Sequence, residues 1–233
     1  MLGDGIHGML HFLIGAAVVS LLLYGKCGSR RELVIVFLFG GIAGVFPDVT
    51  KLFGDLYGHS LMSAPLMGLS VALGFRILMR KVPFLQAWGA FAAAVIIGHI
   101  FIDLIGNGVA PFYPFEKSEY DFHIISRLDV VMLLTLLATA VVFFITCRRA
   151  IVLSGVMIIC IYLGILSVSK VQLEQLLHTE YSENDIELLI TYPRSGAWGG
   201  WDFQLRTDET WINGHSPVLG RDVHIESERD VET

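Results

Sequence analysis

At 233 residues, with 54% hydrophobic and 16% charged residues, the chain lacks the polar surface of a soluble domain, which carries about 25% charged residues. Its net charge of -6 argues against a basic nucleic-acid-binding protein. Of the 38 charged residues, 18 lie after Ser169, so an apolar block is followed by a polar, acidic tail. This composition excludes a soluble enzyme and a disordered chain, and it indicates a protein whose solvent is a bilayer. Cys27, Cys147 and Cys160 form no CxxC pair, so neither a disulfide framework nor a cysteine-based zinc site is expected. Asp4 stands where a signal peptide would carry a basic residue, and the first apolar run is expected to stay in the mature protein.

Apolar runs extend from Gly8 to Tyr24, Leu33 to Phe46, Leu61 to Met79, Val82 to Ile105, Val130 to Cys147 and Ala150 to Val168. A hydrocarbon core of ~30 Å takes about 20 helical residues to cross, with about 17 as the lower limit. Five of the runs meet that length. The second is short and meets Pro47, which is expected to end its helix. Lys26, Arg30 and Arg31, then Arg76, Arg80 and Lys81, then Arg148 and Arg149 occupy alternate loops that contain one acid, Glu32. With about six spans these loops share one side, which the positive-inside rule makes cytoplasmic. Both termini are then extracytoplasmic. The expected fold is mainly α, a polytopic helical bundle over residues 1–169 in a plasma or bacterial inner membrane. Residues 170–233 are expected to form a small β-rich extracytoplasmic appendage.

In that appendage Lys170 to Leu177 extends the last helix, and Asp185 to Tyr192 and Trp201 to Leu205 have the alternation of strands. Gly196, Gly199, Gly200 and Asn213-Gly214 are expected as turns. Trp198 and Trp201 are candidates for the tail's core, and Glu226 to Thr233 is expected to fray.

Ionisable groups inside or beside spans are expensive and need a reason. Here each falls at the extracytoplasmic end of its helix. His7 and His11 begin the first span, Asp48 ends the second and His59 opens the third. His99 and Asp103 sit late in the fourth, and Asp129 opens the fifth. Because consecutive spans run antiparallel, these positions converge at one depth near the outer leaflet. His99-x-x-x-Asp103 places an imidazole and a carboxylate one turn apart on one helix face, as metal ligands often are, and His7 and His11 share that spacing. Taken singly, each group is better explained by an interfacial residue, a helix cap or a hydrogen-bonded pair. Together at one depth they favour a site. Zn²⁺ suits a mixture of nitrogen and oxygen donors, and Mn²⁺ or Fe²⁺ also fits. Gly40-Gly41-x-x-Gly44 is expected to permit close helix packing. The aromatic stretch from Pro111 to Phe115 suits an interfacial belt or the lining of a lipid entry. His123, His178, His215 and His224 lie in polar segments and are left out of the site.

Together, His11-x-x-x-Gly15, Phe46-Pro47-Asp48, Gly58-His59-Ser60 and His99-x-x-x-Asp103, followed by Gly108 and Pro114-Phe115, resemble the motifs of the YdjM-like membrane-bound metal-dependent hydrolases. The resemblance spans residues 7 to 130, and Asp129 falls where that family often has a further Asp. Two positions depart from it. Thr50 stands where the family commonly has a second acid. Gly54-Asp55-Leu56 and Gly58 replace its usual His-Arg-Gly and the Thr of its Thr-His-Ser, which makes Asp55 a candidate substitute ligand.

The expected function is a membrane hydrolase of an ester or phosphoester, with His11, Asp48, His59, His99 and Asp103 as the metal ligand pool. Asp129, or an unused carboxylate of that pool, is the candidate general base. The depth of the site makes a lipid or lipid-linked molecule the expected substrate, with the bilayer as partner and no nucleic acid. A cation carrier and a membrane-anchored binding module are the alternative readings.

Overall fold

The computed structural model describes residues 2–50, 57–181, 185–194, 199–218, 220 and 222–230. Helix α1 (Leu2–Leu23) is followed by α2 (Arg30–Val49), α3 (Ala64–Leu78), α4 (Phe84–Val95) and a five-residue π-helical turn, Ile96–Ile100. That turn leads directly into α5 (Phe101–Gly106), and α6 (Val130–Thr146) and α7 (Arg149–Glu180) complete the helices. Among the described residues four segments are long and apolar enough to cross a membrane: Gly5–Lys26, Arg30–Val49, the continuous rod Phe84–Gly106 and Arg149–Glu180. Ala64–Leu78 and Val130–Thr146 are apolar but shorter.

The second span is not short. It begins at Arg30, where Ser29 caps it by accepting from the Glu32 amide at 3.3 Å while Glu32 accepts from the Gly28 amide at 2.6 Å. This reciprocal arrangement satisfies orphan donors at the helix start. The helix also continues through Pro47 to Val49, giving 20 residues and a rise of about 30 Å. Pro47 lies in the last turn, where a missing donor and a displaced carbonyl disturb little of the ladder, and the preceding turn is built from small buried residues, Gly40, Gly41, Ala43 and Gly44.

By packing, the chain forms two units: Met1–Phe122 with Arg127–Ile159, and His123–Ser126 with Cys160–Thr233. In the first, glycines bring α1, α2 and the π turn into backbone contact. A Cβ on Gly15 would lie 2.5 Å from the Gly40 carbonyl oxygen, one on Gly44 would lie 2.2 Å from that of His11, and one on Gly98 would lie 2.9 Å from the Gly15 Cα. At one end of this unit the basic loops meet: Lys81 pairs with Glu32 at 2.5 Å, Arg30 donates to the Ile145 carbonyl at 3.3 Å and Tyr24 to that of Cys147 at 2.6 Å.

In the second unit the C-terminal part of α7, from Cys160, packs with a four-stranded antiparallel sheet in the order β1 (Ile186–Pro193), β2 (Gly200–Thr207), β3 (Thr210–Pro217) and β4 (His224–Asp230). Trp201, Phe203, Leu205 and Ile212 are buried, as are Leu173 and Leu177 on the helix. Two expectations are corrected here. Residues 224–230 form a paired strand rather than a frayed end. Asn213-Gly214 lies inside β3, where Gly214 pairs with Phe203, whose ring comes within 2.6 Å of where a Cβ would sit. Gly214 is therefore small for packing, and the β2–β3 turn falls at Asp208-Glu209, stapled by Thr207 Oγ1 accepting from the Thr210 amide at 2.9 Å. Trp198 and Gly196 lie outside the described residues.

Candidate metal centre

The side chains at the far end of the helical unit converge on one carboxylate. Asp103, fully buried in α5, directs Oδ1 toward the Nε2 atoms of His7 and His11, at 3.0 and 3.3 Å. Its Oδ2 faces the Nε2 atoms of His99 and His59, at 3.3 and 3.5 Å. Asp48, in the last turn of α2, brings Oδ1 to 3.7 Å from His59 Nε2 and 3.8 Å from His99 Nε2. Thus four imidazoles and two carboxylates from α1, α2, the turn before α3, the π turn and α5 share one locus.

The outward-facing ring nitrogens fix the tautomers. His7 Nδ1 lies 3.0 Å from the Arg127 carbonyl oxygen, His11 Nδ1 2.8 Å from that of Gly98, and His99 Nδ1 2.9 Å from that of Gly44. A carbonyl only accepts, so each Nδ1 carries the proton and donates. The neutral ring then presents a bare lone pair at Nε2, and these lone pairs face inward toward Asp103. They also face one another: His11 and His7 Nε2 are 2.9 Å apart, as are His99 and His59 Nε2. Metal-binding histidines are held in this way, with the second nitrogen donating to a backbone carbonyl. Glycine supplies two of the acceptors, and the absence of a side chain at Gly44 and Gly98 lets those carbonyls come close enough.

The π turn contributes to the placement. The Phe101 amide donates to the Ile96 carbonyl, a five-residue step that widens the helix where His99 sits. Such turns concentrate at functional sites. Beyond it, the Asp103 carbonyl accepts from the Asn107 and Gly108 amides, both at 2.8 Å, and Gly108 takes φ +81, a left-handed helix end that glycine adopts without strain.

The donor set fits a divalent cation. Three overlapping triads, His7/His11/Asp103, His11/Asp48/His99 and His59/His99/Asp103, each bring their ligand atoms within 4.8 Å of one another. Ligands on one tetrahedral zinc stand about 3.3 Å apart, given Zn–N distances of about 2.0 Å. Among the described residues, Asp103 Oδ2 is buried without a hydrogen-bond partner. A buried carboxylate oxygen beside inward-facing ring nitrogens is a place where a cation could be held.

All five expected ligands, His11, Asp48, His59, His99 and Asp103, therefore meet. His7 joins them, though the ligand pool drawn from the sequence leaves it out; its i, i+4 spacing from His11 was the available signal. Asp129 belongs to none of the triads. It is the N-cap of α6, its Oδ1 accepting from the Met132 amide at 2.8 Å. Asp55 lies outside the described residues. The two departures from the family pattern touch each other: a Cβ on Gly58 would lie 1.9 Å from Thr50 Oγ1, which itself donates to the Pro47 carbonyl at 2.6 Å. Glycine at 58 lets the His59 turn close onto the end of α2.

The YdjM inner membrane protein family model matches residues 6–173, more than two thirds of the chain and every residue of the cluster. The chain belongs to the YdjM inner membrane protein family. With its apolar helices, this makes it a membrane protein. Neither a search of curated proteins nor one of solved structures returns a match.

Proposed function

We propose that this YdjM-family protein is a membrane-embedded, metal-dependent hydrolase of an ester or phosphoester, with its site at the extracytoplasmic face. The inward set of bare Nε2 atoms around the partnerless Asp103 Oδ2 carries the reading. His7, His11, His59, His99 and Asp103 would hold the metal, zinc first and manganese or iron next, and Asp103 offers one oxygen to each histidine pair. A divalent ion so held would supply Lewis acidity and lower the pKa of a water toward neutrality.

The protein's own groups then divide the work. His7, His11 and His99 are locked by their Nδ1 donations, so their geometry exists before substrate arrives. Asp48 is the most exposed of the cluster, its side chain 27% accessible and more than 3.6 Å from either imidazole nitrogen. That exposure makes it the candidate among the carboxylates of the pool to take a proton from water. Asp129, committed through Oδ1 to capping α6, is better suited to positioning the segment whose Arg127 carbonyl orients His7.

One observation disfavours a carrier. From Phe12 to Leu23, from Leu33 to Pro47 and from Phe84 to Gly98 there is no ionisable side chain. A cation path needs donors along the depth of the bilayer, and these helices concentrate them at one end.

Elemental analysis of purified full-length protein tests the proposal. Wild type is expected to hold stoichiometric metal, and His99→Ala and Asp103→Ala to lose it while remaining folded by circular dichroism. Equal, negligible metal in all three would sink the idea.

A further inference from the structure

At the end of α1 away from His7 and His11, two corners of the helical unit gather cations. The 3₁₀ turn Tyr24–Lys26 leads α1 toward α2, and Cys147 closes α6 before α7 begins. Cys147 takes φ +51 while its amide donates to the Phe143 carbonyl at 2.7 Å, a left-handed helix end that reverses the chain at once into Arg148 and Arg149. The corners are fastened together. Tyr24 donates to the Cys147 carbonyl, Arg30 donates to that of Ile145, and Cys27 and Cys147 pack against one core of Ala17, Leu33, Phe143 and Val152. Lys26, Arg30, Arg31, Arg148 and Arg149, all exposed, are thereby drawn to one place.

Local electrostatics oppose that gathering. Among the described residues none of the five pairs with a carboxylate, and the acid of these corners, Glu32, is taken by Lys81 at 2.5 Å and the Gly28 amide at 2.6 Å. Arg30 and Arg31 are the first two residues of α2. Arg149 is the first of α7, whose first turn holds no acid. A helix start carries partial positive charge, so these arginines are repelled by the dipoles as well as by one another. The α3–α4 corner shows the ordinary arrangement instead. There Lys81 has its acid, and Arg76 sits in the last turn of α3, where the dipole favours it, over the Phe84 ring at 5.5 Å. Two arginine pairs set against two positive helix ends call for an anion from outside the chain.

The residue types say which anion. Arginine's planar fork grips a phosphate through paired N–H donors, and one adjacent-arginine pair from each corner matches two phosphates. Leu22, Ile145 and Leu153, three or four residues inward of Lys26, Arg148 and Arg149, are exposed aliphatic side chains. In a bilayer they place acyl chains directly beneath the guanidinium groups, which favours a lipid over a free phosphate.

We propose that the joined corners bind a doubly charged phospholipid, a diphosphatidylglycerol. One phosphate lies at Arg30 and Arg31, the other at Arg148 and Arg149, and the chains lie along Leu22, Ile145 and Leu153. This lipid is a structural partner: its two phosphates staple the α1–α2 and α6–α7 corners by turning mutual repulsion into shared attraction. The site is separate from the metal centre and does not depend on it.

The test places full-length protein in phosphatidylcholine nanodiscs doped with tetraoleoyl diphosphatidylglycerol, and reads the lipid retained per chain by native mass spectrometry. One diphosphatidylglycerol is expected to stay on each chain, and phosphatidylglycerol at matched phosphate to be retained at least about tenfold less. The Arg31→Gln, Arg148→Gln variant removes one arginine from each pair and keeps the Arg30 bond between the corners. Its retention should fall about 10- to 30-fold with helical circular dichroism unchanged. The Arg76→Gln, Arg80→Gln variant, at the α3–α4 corner, should stay within about twofold of wild type. Wild-type retention in the first variant, or equal loss in both, overturns the site in favour of a diffuse surface field. Equal retention of phosphatidylglycerol overturns the paired-phosphate geometry. Pyrophosphate that displaces the lipid from detergent-solubilised protein at equal concentration would replace it with a soluble-anion site.

Discussion

The helical unit and the tail bury polar groups in opposite ways. In the tail, buried polar side chains of α7 and the sheet meet donors, acceptors or opposite charges. Lys170 donates to the Thr191 carbonyl and hydroxyl oxygens, both at 2.6 Å, and stands 3.3 Å from Glu174; Trp201 donates to Ser169 at 2.9 Å. In the helical unit, by contrast, Asp103 and three imidazoles, those of His7, His11 and His99, turn acceptors toward acceptors. A satisfied network holds a fold together, and acceptors gathered around one carboxylate could be satisfied by a cation. The contrast predicts that substitutions in the cluster will alter metal content more than folding, and that substitutions in the tail will do the reverse.

The largest effect belongs to Asp103→Asn. The amide keeps the shape but replaces one acceptor oxygen with a donor and removes the charge. Apparent zinc affinity, measured by competition with a chelator, should drop by at least about 100-fold. Retention of wild-type affinity would mean that the cluster is a packing device like that of the tail.

Next comes Gly44→Ala. The added methyl would press on the His11 carbonyl, a backbone atom with little freedom to yield, and would displace the Gly44 carbonyl that orients His99. Overpacking of this kind costs up to about 3 kcal/mol. Thermal melting should fall and metal should be lost together, which would link helix spacing to ligand orientation. A variant that melts early but binds metal normally would separate the two.

Lys170→Met tests the other side of the comparison. It leaves Glu174 and Thr191 without their shared donor inside the tail, at a cost of about 1–2 kcal/mol. Hydrogen exchange in strands β1 and β2 should speed up while zinc content stays at the wild-type level.

Much of the site was legible because antiparallel spans map chain position onto depth. Asp48 at the end of one helix and His59 at the start of the next must share an end. What escaped the sequence depends on backbone. Nothing in Ile96–Ile100 announces a π turn, and no side-chain pattern reveals that the Gly44 and Gly98 carbonyls orient His99 and His11. Reading the glycines as packing residues captured only half of their role. In the tail, β4 was missed because His224 to Asp230 is almost wholly polar and exposed, so its pairing with β3 leaves no apolar alternation to detect. Asn213-Gly214 misled in the opposite sense, since a common turn signal there serves to make room for the Phe203 ring.

The smallest predicted effect concerns pH in the tail. Burial on the sheet pushes the Asp202 carboxyl above its ordinary value, with Arg194 partly opposing the shift, Glu226 adding to it and His215 reducing it. An acid whose folded pKa exceeds its unfolded one stabilises the fold below the unfolded pKa and loses that contribution as pH rises through the folded pKa. Asp202 should therefore make the sheet slightly less stable at neutral pH than in the carboxylate range. Because the side chain is partly exposed, solvent screening limits the difference to a few tenths of a kcal/mol. Asp202→Asn removes the titration, so exchange protection of β2 in the variant, relative to wild type, should rise slightly between the acid range and neutrality. A variant that loses protection at neutral pH would show that the Arg194 pairing at 3.6 Å outweighs the burial of the charge. Even this exposed carboxylate would then belong to the tail's self-satisfied network.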